Sequence, residues 1–411
     1  MSKTQVITHP RISIPGRTRA AIFDIISPKS PELRMEPLTP SISLPHKVHP
    51  QAVLRKSLRH TSEKLPAIDQ RSRGSLDTNR TLDDHYKFLK GIETFNETTR
   101  ISVKQNGRTK AYAASTNAGL VRGYNEDRVS IINNIIKPQG RVGEIWPKCS
   151  FFAVYDGHGG SACADFLRDN LHQYIIKEPN FPENPKVAIK QGCMAAEQDF
   201  LAQCQGRYIE KSGSCAIIAL IFGDMCYVAN VGDSRAIMSA ERGSKIHQLS
   251  RDHKPSDEEE RSRIIQAGGR VYQTPIFLGH NAESPVLGPF RVNPGRLSVS
   301  RTFGDVEAKV PQLGGNPKVV IPNPEVKSFR ITKDMDFILL ASDGIYDKLT
   351  NREIINCAWN SISDVRAVDL HHKCGAVVDS VIKLALNRRT MDNVTVVVIA
   401  LPGFKKFSRE T

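Results

Sequence analysis

An α+β layered domain is the fold the sequence predicts over residues 106–402, and three observations predict it. Short β-rich runs come in groups, helical periodicities fall between the groups instead of alternating with single strands, and no polar linker divides the stretch. In order, 128–136 and 149–155 read as strands. After Ser161, residues Cys163, Phe166, Leu167, Asn170, Leu171 and Tyr174 repeat at helical spacing. Strand-like runs return at 214–222, 225–231 and 235–239. Ser256-Asp-Glu-Glu259 is a capping box that opens a helix, and Gly268 and Gly269 suit its stop. A strand at 335–342, whose stretch Asp336-Phe-Ile-Leu-Leu-Ala341 reads as fully buried, precedes a second capping box, Thr350-Asn-Arg-Glu353, then a long helix over 364–387 and a last strand at 393–401.

Residues 1–105 read as a basic, Pro/Ser-rich leader without a fold of its own, and 403–411 as a short C-terminal tail. The chain carries a net charge of +14, and half of that excess lies in the first 100 residues, which hold 17 basic and 10 acidic side chains. No basic motif with interleaved aromatics accompanies it, so no nucleic-acid partner is expected. Ser27-Pro28, Ser30-Pro31 and Thr39-Pro40 are candidate proline-directed phosphorylation sites. Arg11, Arg17 and Arg19, with no acid before Asp24, are weakly similar to a mitochondrial transit segment, but the nearby prolines oppose its helix. A cytoplasmic or nuclear location is the expectation. No apolar run is long enough to predict a transmembrane helix, and with Ser at position 2 and no prenylation box at the end neither N-myristoylation nor prenylation is expected. The eight cysteines form no CxxC pair or zinc spacing, and none is followed by Arg six positions on; buried free thiols are expected.

The strongest local feature is Phe151-Phe-Ala-Val-Tyr-Asp156-Gly157-His158-Gly159-Gly160. An apolar strand delivers a carboxylate at its end, and the glycines let the backbone turn and approach a ligand. Gly157-x-Gly159-x-x-Ala162 also matches a dinucleotide fingerprint, with Glu178 at a fitting distance. That fingerprint needs a strand after its helix, and here a Pro-rich turn and a further helical pattern follow. Further acids flank strand-like runs in Arg122-Gly-Tyr-Asn-Glu126-Asp127, Gly232-Asp233-Ser234-Arg235, Ala341-Ser-Asp343-Gly344 and Met391-Asp392-Asn393. Carboxylates gathered at strand ends repel one another unless a cation neutralises them. Oxygen donors without paired His or Cys suit Mg²⁺ or Mn²⁺ rather than zinc.

Residues 111–401 resemble the metal-dependent protein serine/threonine phosphatases of type 2C. Beyond the acidic clusters the resemblance rests on Gly213-Ser-Cys-Ala216, Asp252-His-Lys-Pro255, Ala267-Gly-Gly269, Leu297-Ser-Val-Ser-Arg-Thr-Phe-Gly-Asp305 and Pro324-Glu-Val326, all in the family's order. It implies a four-layer α-β-β-α sandwich, two antiparallel sheets flanked by helices, with the metal site at one end. It further implies hydrolysis of phosphoserine and phosphothreonine in protein substrates by a metal-bridging hydroxide, with two Mg²⁺ or Mn²⁺ ions and room for a weaker third.

By resemblance, Asp156 bridges the metals and Gly157 adds its carbonyl to the second. Asp343 and Asp392 hold the first metal, Glu126 holds the second, and Asp127 lies in the outer shell. Asp233 matches the third-metal position, Arg122 binds the substrate phosphate, and His158 protonates the leaving alkoxide. A monomer is the family-level expectation. Tyr346 stands where the family usually has Trp, a packing substitution, and the segment from Gly269 to Leu297 is longer than the usual flap, which is expected to affect substrate choice. The alternative is a catalytically silent, phosphoprotein-binding member of the same fold, disfavoured because Glu126, Asp156, Asp343 and Asp392 are all present. A metallophosphoesterase is disfavoured because no His-rich ligand set follows Gly232-Asp233.

Overall fold

The computed structural model describes residues 98–143, 145–204, 209–276, 285–364 and 369–404. The expected leader up to residue 97, with its three Ser/Thr-Pro sites and its arginine-bearing start, lies outside the described residues, as does 405–411. In chain order, β1 (Arg100–Ile101), β2 (Ala111–Asn117), β3 (Arg128–Ile132), β4 (Cys149–Tyr155) and β5 (Gly157–His158) precede α1 (Ala162–Lys177) and α2 (Pro185–Gln203). There follow β6 (Gly213–Ser214), β7 (Ala216–Phe222), β8 (Met225–Val231), β9 (Arg235–Ala240), β10 (Lys245–Gln248) and α3 (Glu258–Gln266). Next come β11 (Arg270–Ile276), β12 (Val286–Asn293), β13 (Phe303–Gly304) and α4 (Val306–Lys309). The series ends with β14 (Glu325–Arg330), β15 (Met335–Ala341), α5 (Asp343–Tyr346), α6 (Asn351–Asp364), α7 (Leu370–Asn387) and β16 (Val394–Ala400).

Two antiparallel sheets carry the fold, one in the order β1-β2-β16-β15-β9-β10 and the other β14-β8-β7-β4-β3. Their central strands are apolar on both faces, and the period of two explains why. In β4, Phe151, Ala153 and Tyr155 pack against α1 and α2, while Phe152 and Val154 meet the other sheet. In β15, Phe337, Leu339 and Ala341 pack against α6 and α7, while Ile338 and Leu340 meet β4 and β7 side chains in the middle. Helix α1 supplies Cys163, Leu167, Leu171 and Ile175 at four-residue spacing, so one stripe is buried. The result is the expected four layers, α-β-β-α. All eight cysteines are free, and only Cys357 is not fully buried.

Several boundaries differ from the sequence reading. The fold takes in residues ahead of 106, because Arg100–Ile101 pairs with Ala113 and Ala114. At the other end Phe404 is buried against Phe337 and Trp359, so the fold extends past 402. Strand β3 stops at Ile132, and the run 214–222 is interrupted at Cys215, whose N–H leaves the ladder to donate to the Asp156 carbonyl at 2.9 Å. Asp257 rather than Ser256 caps α3, accepting from the N–H groups of Glu259 and Glu260. The Thr350/Glu353 capping box forms reciprocally. The long helix starts at Leu370, capped by Asp369, and α6 precedes it. Among the described residues no helix is long and apolar enough to cross a membrane.

Candidate metal centre

Antiparallel pairing brings the acidic residues to one end of the sandwich. Asp156 follows β4, whose last residue Tyr155 pairs with Arg128, just after Glu126-Asp127. Asp343 follows β15, whose Ala341 pairs with Val396, just beyond Asp392. Asp233 follows β8, whose Val231 pairs with the first residue of β7. The tightest group is Asp156, Asp233 and Asp343, each offering one carboxylate oxygen within 4.8 Å of the other two. Burial and the mutual repulsion of these carboxylates push Asp156 and Asp343 well above the usual 3.8. Among the described residues the cation in ion-pair contact with the group is Lys254, whose Nζ lies 3.4 Å from Asp233 and 3.5 Å from Asp347. One ammonium leaves three crowded carboxylates with negative charge in excess. That all-oxygen donor set fits a hard divalent cation.

The other expected ligands surround this group. Glu126 is buried; its Oε1 accepts from Gly160 N–H at 2.6 Å, and its own N–H donates to Asn393 Oδ1 at 2.9 Å. Gly157 lies against it: a Cβ there would sit 2.5 Å from the Glu126 carbonyl oxygen, so only glycine permits this approach. Asp392 stands outside the tight group, with Oδ2 taken by Arg122 at 2.8 Å and Oδ1 by the Asn393 N–H at 2.8 Å. Its charge still reaches Asp343 and Asp127, raising both. Asp127 is buried and accepts from Ser342 Oγ at 2.8 Å and Thr395 Oγ1 at 2.6 Å; burial outweighs these bonds and pushes it up to about 6. The Arg122 side chain is half-exposed.

His158 has a partner that sequence reasoning did not assign. Its Nε2 lies 2.9 Å from both carboxylate oxygens of Asp305, which is nearly buried. Burial pulls the imidazole pKa down, but the Asp305 charge and hydrogen bond carry it above 6.5. The contact is made by a small three-stranded ladder in which β6 lies between β5 and β13, so Gly213 faces both His158 and Gly304. A Cβ on Gly213 would fall 2.5 Å from His158 Nε2, which is why this position tolerates no side chain. Lys309 and Glu197 form a buried ion pair behind this ladder, and Glu197 also accepts from Gly304 N–H at 2.9 Å. Asp305 and Lys254 each stood in a motif already singled out, Phe303-Gly-Asp305 and Asp252-His-Lys-Pro255; nothing local marked their partners. At Tyr346, the expected packing role takes the form of a ring 4.5 Å beneath the Arg235 guanidinium, which Asp252 grips with both oxygens.

The family model described as protein phosphatase 2C matches residues 121–394. Among curated relatives, probable protein phosphatase 2C 45 of Oryza sativa subsp. japonica is 34% identical over 248 residues, covering 60% of this chain and 75% of that one. Probable protein phosphatase 2C 25 of Arabidopsis thaliana is 34% identical over 282 residues, covering 68% of this chain but only 61% of its own length. A Caenorhabditis elegans sex determining protein of known structure superposes with a TM-score of 0.56 at 25% identity, covering 73% of this chain and 66% of that one. Serine-threonine phosphatase 2C from Toxoplasma gondii gives 0.55 over 74% and 99% of the two chains, at 20% identity, which speaks for the fold alone. The family match runs from the residue before Arg122 to the first residue of β16 and so takes in every acid described above; the chain belongs to the protein phosphatase 2C family.

Proposed function

We propose that the protein hydrolyses phosphoserine and phosphothreonine in protein substrates at a divalent-metal centre built on Asp156, Asp233 and Asp343, with Glu126 and Asp392 completing the ligand set. The observation that carries the reading is the convergence of these carboxylates at one end of the sandwich, next to an arginine and a histidine–aspartate pair. Mg²⁺ or Mn²⁺, when bound there, supplies water acidification and countercharge for phosphate. Everything else falls to the chain's own groups. Arg122 offers a planar fork of donors to a phosphoryl group, and its bond to Asp392 aims that fork across the site.

Because Asp305 engages His158 at Nε2, Nδ1 is the nitrogen that gives its proton to the departing serine or threonine oxygen. The neutral ring left behind keeps its Nε2 proton against the carboxylate. Asp127, gripped by two hydroxyls, holds Ser342 and Thr395 in register beneath Asp343. Phosphate release from a phosphothreonine peptide with Mn²⁺ tests the reading. Turnover should need metal and collapse in Asp343→Asn. Full turnover in excess chelator refutes the metal centre, and no turnover on several phosphoproteins points to the silent, binding-only alternative.

A further inference from the structure

The hairpin β11–β12 pairs Arg270 with Asn293, Val271 with Val292 and Tyr272 with Arg291. Alternation therefore sorts its side chains onto two faces. Val271 and Val292 turn inward onto Ile264, Ala308 and Val319. The outward face carries Arg270, Tyr272 and Arg291, and Arg296 adjoins it in the turn that follows. A cleft of about 360 Å³ opens there, lined by Tyr272, Thr274, Gly288, Pro289, Arg291 and Arg296. Arg291 donates through Nη1 to the Arg296 carbonyl at 2.7 Å, so the two arginines are tied together. Arg296 is held at φ 58°, a left-handed backbone that costs a non-glycine residue about 1 kcal/mol.

Charge separates this cleft from its surroundings. At the root of the hairpin, Arg263 and Arg301 are paired with Glu260, and Arg251 with Glu259 and Glu325. The sequence from Gly269 to Leu297 holds a single acid, Glu283, which lies outside the described residues, and no described carboxylate lies within ion-pair distance of Arg270, Arg291 or Arg296. The segment that follows the hairpin is also joined to the metal centre. Ser300 N–H donates to the His253 carbonyl and His253 N–H to the Gly232 carbonyl, next to Asp233. Five residues beyond Ser300 stands Asp305, against His158.

Resting on the phosphatase reading above, we propose that this outward face docks a run of Asp or Glu residues in the phosphoprotein substrate, remote from the phosphoryl group being removed. Guanidinium forks match carboxylates with paired hydrogen bonds, and Tyr272 and Pro289 offer flat walls to the peptide chain between them. The test compares two phosphothreonine peptides that differ only in a distal run of Glu or of Gln. The intact protein should show a KM roughly 5-fold lower for the Glu peptide, as expected for two or three exposed ion pairs. That preference should fade with added salt. Arg291→Gln combined with Arg296→Asn, which tolerates the left-handed backbone, should abolish the preference and leave kcat on the Gln peptide within about 2-fold.

Retention of the preference in the variant, or its absence in the intact protein, overturns the docking proposal while leaving phosphatase activity standing. If neither peptide is turned over, the activity reading fails instead. Fluorescence anisotropy with a labelled, unphosphorylated Glu-rich peptide then still decides docking: tighter binding to the intact protein than to the variant supports it, and equal binding overturns it.

Discussion

Replacing Asp305 by Asn isolates what the carboxylate does for His158. Asn accepts the left-handed backbone found at this position, φ 54°, so the substitution removes charge without straining the turn. Both Asp305 oxygens lie 2.9 Å from Nε2 and the side chain is nearly buried, so the bond is charge-assisted and poorly screened. A charged hydrogen bond is worth about 1.5–3 kcal/mol and a neutral one about 0.5–1.5, so the exchange loses about 1–2 kcal/mol. In rate that is roughly 5- to 30-fold. The loss should fall on phosphothreonine peptides, whose alkoxide needs the proton, and should nearly vanish with an aryl phosphate whose phenolate leaves unaided. Asp305 holds the imidazole pKa up, so the alkaline fall in peptide turnover should also move to lower pH in the variant. Steady-state assays on both substrates across pH measure this. An equal loss on both, with an unmoved alkaline limb, refutes a proton-positioning role and leaves Asp305 as a packing residue.

Three further outcomes follow from the geometry. Mn²⁺ should raise the thermal midpoint, by about 2.7 kcal/mol of stability at a hundredfold excess over Kd; Asp343→Asn should lose that shift yet be no less stable than the metal-free parent, having one fewer crowded charge. Gly157→Ala should reduce both turnover and the Mn²⁺ shift, because its Cβ would collide with the Glu126 carbonyl; an unchanged midpoint rise would show that the two backbones need not touch. Burial would raise the Glu260 carboxyl, but bonds from Arg301, Arg263 and Ser300 hold it well below 4.5. A depressed folded pKa stabilises above the unfolded value and is lost as pH falls. Glu260→Gln should therefore cost about 3 kcal/mol at neutral pH, and denaturant titrations should show the gap closing as pH drops below 4.5.

What could be read in advance depended on how local the cause was. Strands β4 and β15 declare themselves because both faces are buried and nearly every residue is apolar, Ser150 and Asp336 excepted. Edge strands β10, Lys-Ile-His-Gln, and β14, Glu-Val-Lys-Ser-Phe-Arg, carry no such pattern, since one side meets water and pairing alone makes them strands. Strand β2 is hidden by its small residues, which sit where the strand meets α7. The Thr350 capping box was visible because its two partners lie three residues apart. The acids were visible because each ends or opens an apolar run. His158 and Asp305 are 147 residues apart, and only the ladder through Gly213 brings them together.

Among the described residues the two sheets share no ladder hydrogen bond; side chains such as Phe152, Leu340 and Val397 hold them face to face. Asp156 and Asp233 come from one sheet, Asp343 and Asp392 from the other. The seam is therefore cohesive through most of its length and self-repelling at one lip. A cation seated among those acids would act as a clasp, drawing the lips together where the hydrophobic contact runs out. Breathing of the sandwich should then be concentrated at that end and damped by metal, so that the entry proposed for a phosphopeptide would also be the least rigid part of the fold.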